Sequence, residues 1–328
     1  MPDNSRRKDF DVTDSIQVTS AHAVCNAVRE IFTSLFDVKY FSPVQQSFED
    51  FEKLFEGEFE NYMACDTFYH DKQHTLDMTL ALARLIEGYQ QVTSKGEQLS
   101  AEYTAIGIIT ALYHDSGYIR ETGDSNSNGA VYTKVHVARS ASFLSRYLPM
   151  IGLADYIDIA ANIVHYTGYE VKPADIKLKE KKLHTLGYML GSADLIAQMS
   201  DRCYLEKCRD RLYPEFVLGG ISEVNNTDGS TDIIYASGDD LLEKTPDFYN
   251  GEINNRLNKL FNGTYKYAEK HFGERNLYIE ALEKNISHLL KLLNKGKLSE
   301  LIRIPLVNNG TIFANASNAE EIRKLIIK

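Results

Sequence analysis

Long apolar runs are missing from this sequence. None of its 328 residues fall in an uninterrupted apolar stretch of the roughly 18–20 residues that a membrane-spanning helix requires, so no membrane partner is expected. The opening MPDNSRRKDFDVTDS is polar and has no apolar core of a secretory signal, which predicts a cytoplasmic protein. Cysteine is scarce. Cys25, Cys65, Cys203 and Cys208 are too few and too scattered for a disulfide framework and fit reduced thiols of a cytosolic chain. Basic clusters are scarce too: against a net charge of −10, the notable runs are KLKEKK (177–182) and Arg209 to Arg211. Affinity for duplex nucleic acid comes from displacing counterions with a basic face, so duplex binding is excluded. A small anionic substrate stays compatible, because bound cations invert a local potential. Strand-like alternation is nearly absent. Its one instance, RIPLVNNGTIFAN (303–315), reads as a terminal hairpin followed by a short helix. No internal repeat is found.

What is present is helical periodicity, with 43% apolar and 25% charged residues, near the average of globular proteins. Segment 74–89 carries apolar residues at Leu76, Leu80, Ala83 and Ile86, with a second stripe at Met78, Leu82, Leu85 and Tyr89. A helix apolar on so much of its circumference belongs inside a bundle. Segment 101–113 follows an N-cap at Ser100 and stops at Ser116-Gly117. Further helices are expected over about 17–36, 44–62, 133–148, 153–165, 184–212, 252–271 and 274–294, with breaks at Pro149 and Gly168-Tyr169. Residues 219–251 are rich in Gly, Asn, Asp and Ser and read as a polar loop or insertion, with a lid as the other reading. The fold class expected is all-α. A flexible segment (1–16), a helical core (17–218), the polar loop (219–251) and a helical C-terminal extension (252–328) make up the layout. The extension suits packing on the core or homodimer formation.

Histidines fall in a pattern. His70 and His74 are four apart in FYHDKQHTLD and share one helix face. His114 and Asp115 close the most apolar helix, His136 lies in KVHVARS, His165 in NIVHYTGY, and Asp194 in GYMLGSADLIAQM. Any one of these is more often a hydrogen-bonded core residue than a ligand. Buried imidazoles and carboxylates on several helices are costly unless paired or bound to metal, and convergence on one site removes that cost. A donor set of imidazoles and carboxylates without Cys suits Fe, Mn, Zn, Co or Ni, with Mg at a second position.

These segments resemble the HD superfamily of metal-dependent phosphohydrolases over roughly residues 66–216. The resemblance implies an HD-domain/PDEase-like helical bundle and metal ligands His74, His114, Asp115 and Asp194. It further implies His136 and His165 as ligands of a second metal, with Asp115 bridging the two. FYHDKQHTLD is similar to the YHNxxHAxD segment of cyclic-nucleotide phosphodiesterases, which implies His70 as the general acid. IVHYTGY is similar to the HHExxxGxGYP segment of HD-GYP phosphodiesterases, but Val164 replaces the first His, no Glu follows, and no Pro follows Tyr169. The chain is therefore not a standard HD-GYP domain, and the counterpart of a base-clamping Gln and Phe is sought in Gln198 and LYPEF (212–216).

The expected activity is that of a metal-dependent phosphohydrolase, most closely a phosphodiesterase acting on a nucleotide or related phosphoester. Catalysis falls to His70 and Asp115, with two divalent cations activating water. Arg139 stands within reach of a bound phosphate, although such residues are usually solvated on an amphipathic helix. Tyr169 suits stacking on a base and Gln198 suits orienting water or substrate. Asp77 reads either as a partner fixing a histidine tautomer or as a solvent-facing first-turn carboxylate. His22, His184, His271 and His288 fit no pattern. Two other classes compete on the same residues: an HD-type di-iron oxygenase, and a binding module without turnover.

Overall fold

The computed structural model describes residues 6–306 and 318–326. The chain is all-α, with one two-stranded sheet among the described residues. Its first seven helices are α1 (Ala21–Leu35), α2 (Ser42–Glu56), α3 (Lys72–Val92), α4 (Ala101–Tyr113), α5 (His136–Met150), α6 (Ile157–Ile163) and α7 (Lys181–Ser200). Short helices α8 (Tyr204–Lys207) and α9 (Tyr213–Leu218) follow, joined by a wide turn over 208–212. A hairpin of β1 (Glu223–Asn225) and β2 (Thr231–Ile233) pairs Val224 with Asp232 and leads into α10 (Gly238–Phe248). The C-terminal part holds α11 (Ala268–His271), α12 (Leu277–Lys295) and α13 (Ala319–Ile326).

Local chemistry sets the helix ends. The Asp71 carboxylate accepts from the His74 amide to start α3, and the Ser100 hydroxyl accepts from the Tyr103 amide to start α4. Gly57 closes α2 and Gly296 closes α12, both in the left-handed conformation. Helix α3 is buried on every side over Gln73–Ile86, as its double apolar stripe predicts. It packs against α1, α4, α7 and α11, so it forms the axis of the bundle. The long helix expected over 184–212 is interrupted at Asp201, whose carboxylate accepts from the Cys203 amide and from Lys207 Nζ instead of continuing the helix.

The segment before α1 and helix α12 are tied to the bundle. Arg84 of α3, buried, donates to Asp11 at 2.5 Å and to the Tyr278 hydroxyl at 2.8 Å. Asp11 is itself buried and accepts the amides of Ser15 and Ile16. Residues 6–16 are therefore fastened by a charge-assisted pair rather than loose, a correction to the flexible segment expected there. Asn285 of α12 donates to the carbonyls of Met199 and Asp201 at 2.9 Å each, joining α12 to the end of α7.

The polar stretch 219–251 also departs from expectation. It carries the hairpin and α10, which is capped by Ser237 and buries Leu241 and Leu242. Gly238, Asp239, Asp240 and Asp247 lie within α10 itself, so a turn-like composition hides the helix. Of the hairpin expected over 303–315, residues 303–306 are not strand, and the rest lies outside the described residues.

Where α3 meets the C-terminal part, Gly88 lies so close to the Tyr267 carbonyl that an added Cβ would stand 1.9 Å from its oxygen. Gly88→Ala is expected to lower stability by about 1–3 kcal/mol through overpacking. A urea midpoint unchanged from that of the parent protein would contradict this packing.

Candidate metal centre

The site forms where α3, the end of α4, the start of α5 and the middle of α7 face one another. His74 comes from the first turn of α3, which Asp71 caps; His114 and Asp115 terminate α4; Asp194 comes from α7. His74 Nε2 lies 3.2 Å from Asp194 Oδ1 and 3.5 Å from Asp115 Oδ2. His114 Nε2 is 3.1 Å from Asp115 Oδ2 and 3.9 Å from Asp194 Oδ1. His136 Nε2, at the start of α5, is 3.8 Å from Asp115 Oδ1. Donor atoms of His74, His114 and Asp115 all lie within 4.8 Å of one another, a spacing able to hold a metal ion.

Two observations fit a cation at this point. Asp115 is only 3% exposed, yet its Oδ2 and the facing His114 Nε2 are both buried without a hydrogen-bond partner. They approach each other without the alignment of a bond, and a buried polar atom left so costs about 1–3 kcal/mol. Secondly, the outer nitrogens are already committed. His114 Nδ1 donates to the Ala111 carbonyl and His136 Nδ1 donates to the Thr133 carbonyl, each at 2.8 Å. That fixes the tautomer so that each Nε2 presents a lone pair inward, the arrangement typical of metal-binding histidines.

Electrostatics tell the same story. Burial opposes the charge of Asp115, but His114, His70 and His74 overcome it and hold the carboxyl well below its ordinary range. Burial likewise opposes protonation of His114, and Asp115 and Asp194 outweigh it, raising the imidazole to about 9. A cation would take the place of that proton. His136, further from the carboxylates, is lowered by burial and by the charge of His70.

Gly117 makes the approach of α5 possible. A Cβ there would stand 1.9 Å from the His136 carbonyl oxygen, so the turn after Asp115 admits no side chain at this position. Tyr118, next along, stacks with the ring of His70 and with the ring of His136, at 4.4 Å from each. The two imidazole centroids are 6.2 Å apart, so the rings are neighbours that share Tyr118 as a common contact.

His70 faces the same cavity but is built differently. Its Nδ1 donates to Glu215 Oε2 at 2.5 Å, and Glu215 is fully buried on α9. The other carboxylate oxygen accepts the amides of Phe68 and Tyr69 at 2.6 Å, so one carboxylate fixes both the ring and the loop that carries it. Burial opposes the charged imidazole, but Glu215, Asp115 and Asp194 raise it to about 9. The sequence gives no sign of Glu215 in this role. It stands inside the LYPEF segment, which attracted notice only as a place for a base clamp.

Other expected residues are placed as follows. Gln198 lines the cavity; its amide donates to Asp194 Oδ1 at 3.3 Å and its carbonyl accepts from the Tyr69 hydroxyl at 3.1 Å, so it orients a candidate ligand. Tyr169 lines the mouth, 60% exposed, with the Arg256 guanidinium 4.1 Å from its ring centre. Arg139 does not line the cavity. Its guanidinium donates to the carbonyls of Gly117 and Ile119 and lies over Tyr132, which makes it a brace of the turn after Asp115 rather than a phosphate ligand. His165 does not join the cluster either. It sits in a tight turn, Val164–Tyr166, whose flanking residues Val164 and Tyr166 fill the core. No ring nitrogen of His165 comes within ion-pairing distance of Asp115 or Asp194, and its Nδ1 is buried without a partner. Asp77 is buried rather than facing solvent, beside His74 in a small side cavity, and burial raises its carboxyl to about 7.

Scanned against protein-family models and against curated proteins, the chain matches none. No helix of the described residues is long and apolar enough to cross a membrane.

Because Glu215 is the largest charge raising His70, Glu215→Gln in metal-free protein is expected to bring the His70 titration down from about 9 toward the ordinary imidazole value. NMR of the ring reads this directly. A titration that stays put would show that Glu215 does not control the ring.

Proposed function

We propose that this protein is a metal-dependent phosphohydrolase, cleaving a phosphoester with water in the cavity above the His/Asp cluster. The observation that carries the reading is the pairing of two unlike devices in one cavity of about 530 Å³. One is a cluster of inward imidazole and carboxylate donors; the other is an imidazole held protonated by a buried carboxylate. The ring centre of His70 is 6.0 Å from that of His74 and 6.2 Å from that of His136, so the proton donor stands beside the cation site without belonging to it.

His74, His114, Asp115 and Asp194 are the residues that would hold a divalent cation, with His136 and Asp115 offering donors toward a second. The ion supplies Lewis acidity, which neutralises phosphate oxygens and makes water nucleophilic near neutral pH. Mn, Fe, Zn, Co and Ni suit this donor set, with Mg less so.

The chain's own residues then account for the leaving group. Glu215 keeps the Nδ1 hydrogen bond and leaves Nε2–H of His70 for the substrate. As the oxygen of water bonds to phosphorus, the bond from phosphorus to the ester oxygen breaks and that oxygen takes the Nε2 proton. One water proton stays on the new phosphate oxygen, the other passes to solvent, and solvent reprotonates His70. At pH 7 a ring raised to about 9 holds the proton until the leaving oxygen gains charge. Gln198 steadies Asp194, and Tyr118 keeps His70 from turning away.

This assignment predicts a dependence on the leaving group. With Mn²⁺ supplied, His70→Ala should slow hydrolysis of an alkyl phosphoester by about 10²–10⁴-fold. It should slow a p-nitrophenyl ester far less, because that alcohol departs without a proton. Equal losses on both substrates, measured as kcat with metal content unchanged, would remove His70 from the role of acid. Absence of turnover on any phosphoester by metal-loaded wild type would overturn the phosphohydrolase reading.

A further inference from the structure

The cavity is divided. Its floor is the polar cluster, and its other half is walled by Leu195, Met199, Tyr204, Phe216, Leu241 and Phe248, drawn from α7, α8, α9 and α10. Most of the polar side chains interspersed with these are engaged within the protein, the Tyr169 and Tyr235 hydroxyls apart. The Thr245 hydroxyl donates to the Leu241 carbonyl, the Tyr69 hydroxyl to Gln198, and the Gln198 amide to Asp194. Lys244 Nζ donates to the Ile234 carbonyl and to Asp240. A pocket that reads a nucleobase needs free donors and acceptors for the edge of the base, since discrimination of that kind comes from hydrogen bonds left unpaired by the wrong ligand. Among the described lining residues there is no asparagine, and the one side-chain amide is spoken for.

Charge argues the same way. No arginine lines the cavity among the described residues. The nearby guanidinium groups are committed: Arg139 to the turn carbonyls, Arg211 to Asp71, and Arg256 to the carbonyls of Tyr166 and Gly168. Glu170, at the polar end, already accepts the amides of Val137 and Ala138 and adds negative charge there. A chain of phosphates would find two exposed lysines, Lys134 and the Lys244 already paired with Asp240, and no planar guanidinium fork. One phosphate at the cluster is matched; two or three are not.

We propose that the substrate is a phosphate ester of an apolar alcohol, with its hydrocarbon part lying along the α10 side of the cavity, and not a nucleotide. The proposal rests on the phosphohydrolase reading and adds the class of the alcohol. Hydrolysis transfers phosphorus from the alcohol oxygen to the oxygen of water, and the alcohol leaves carrying the proton of His70. Phe248, 44% exposed, stands at the rim where such a chain enters.

Binding of methyl-, butyl-, hexyl- and octylphosphonate to the Mn²⁺-loaded protein, measured by calorimetry beside adenosine monophosphate, tests this. Affinity is expected to rise roughly fourfold for each methylene until the cavity is filled, with adenosine monophosphate weaker than octylphosphonate. Phe248→Asp is expected to flatten the series; because that side chain is partly exposed, the variant should fold. A flat series in wild type, with methylphosphonate still bound in the presence of Mn²⁺, would overturn the hydrocarbon assignment and leave the phosphohydrolase reading standing. Tighter binding of adenosine monophosphate than of octylphosphonate would overturn it in favour of a nucleotide. No binding of any phosphonate, with or without Mn²⁺, would bring down both.

Discussion

Two carboxylates, Asp115 and Asp194, are held in the interior against imidazole nitrogens that do not hydrogen-bond with them in the usual way, and much of the bundle's architecture follows from that juxtaposition. Removing charge from water is expensive, and attraction between the buried groups repays it only when the geometry is good. Here the nearest pair, Asp115 Oδ2 and His114 Nε2, is left without a proper bond. A cation among the four side chains would offset that cost. The helices that supply them are accordingly the most thoroughly anchored: α3 is buried all round, α4 is capped at Ser100, and α7 is tied to α12 through Asn285.

Around this cluster, rigidity is supplied by residues whose polar groups point outward from it. Nδ1 of His114 and of His136 is spent on backbone carbonyls, Arg139 ties down the turn after Asp115, and Gln198 steadies Asp194. Preorganisation of this kind matters for catalysis, since donors already aimed at their target cost nothing to arrange during reaction. Glu215 extends the same logic to His70, setting its loop, its ring orientation and its proton with one carboxylate. The segment from α8 to α10 then covers the cluster and gives the cavity an apolar side.

The helices and most of the cluster were legible in the sequence for physical reasons. Periodic apolar stripes marked α3 and α4, and Ser100 marked the start of α4 to the residue. His74, His114, Asp115, His136 and Asp194 stood out because a titratable group in an apolar helix needs a partner. Long-range pairing was not legible. Glu215 meets His70 across 145 residues, and nothing in LYPEF distinguishes a structural carboxylate from a positioning one. For His165, spacing says only that a histidine ends a helix; which way it faces is decided by the tight turn that sends Val164 and Tyr166 into the core. Arg139 donates to the carbonyls of Gly117 and Ile119, which lie in a turn about twenty residues earlier, and the spacing around His136 does not show that pairing. In 219–251, a composition of turn and cap residues concealed that two leucines of α10 are buried.

Elemental analysis of protein purified without chelator, beside an Asp115→Ala variant shown by circular dichroism to be folded, tests the central claim most directly. At least one transition-metal ion per chain is expected in the parent protein, and its loss in the variant. No metal in the parent, even after reconstitution with Mn²⁺, Zn²⁺ or Fe²⁺, would contradict it.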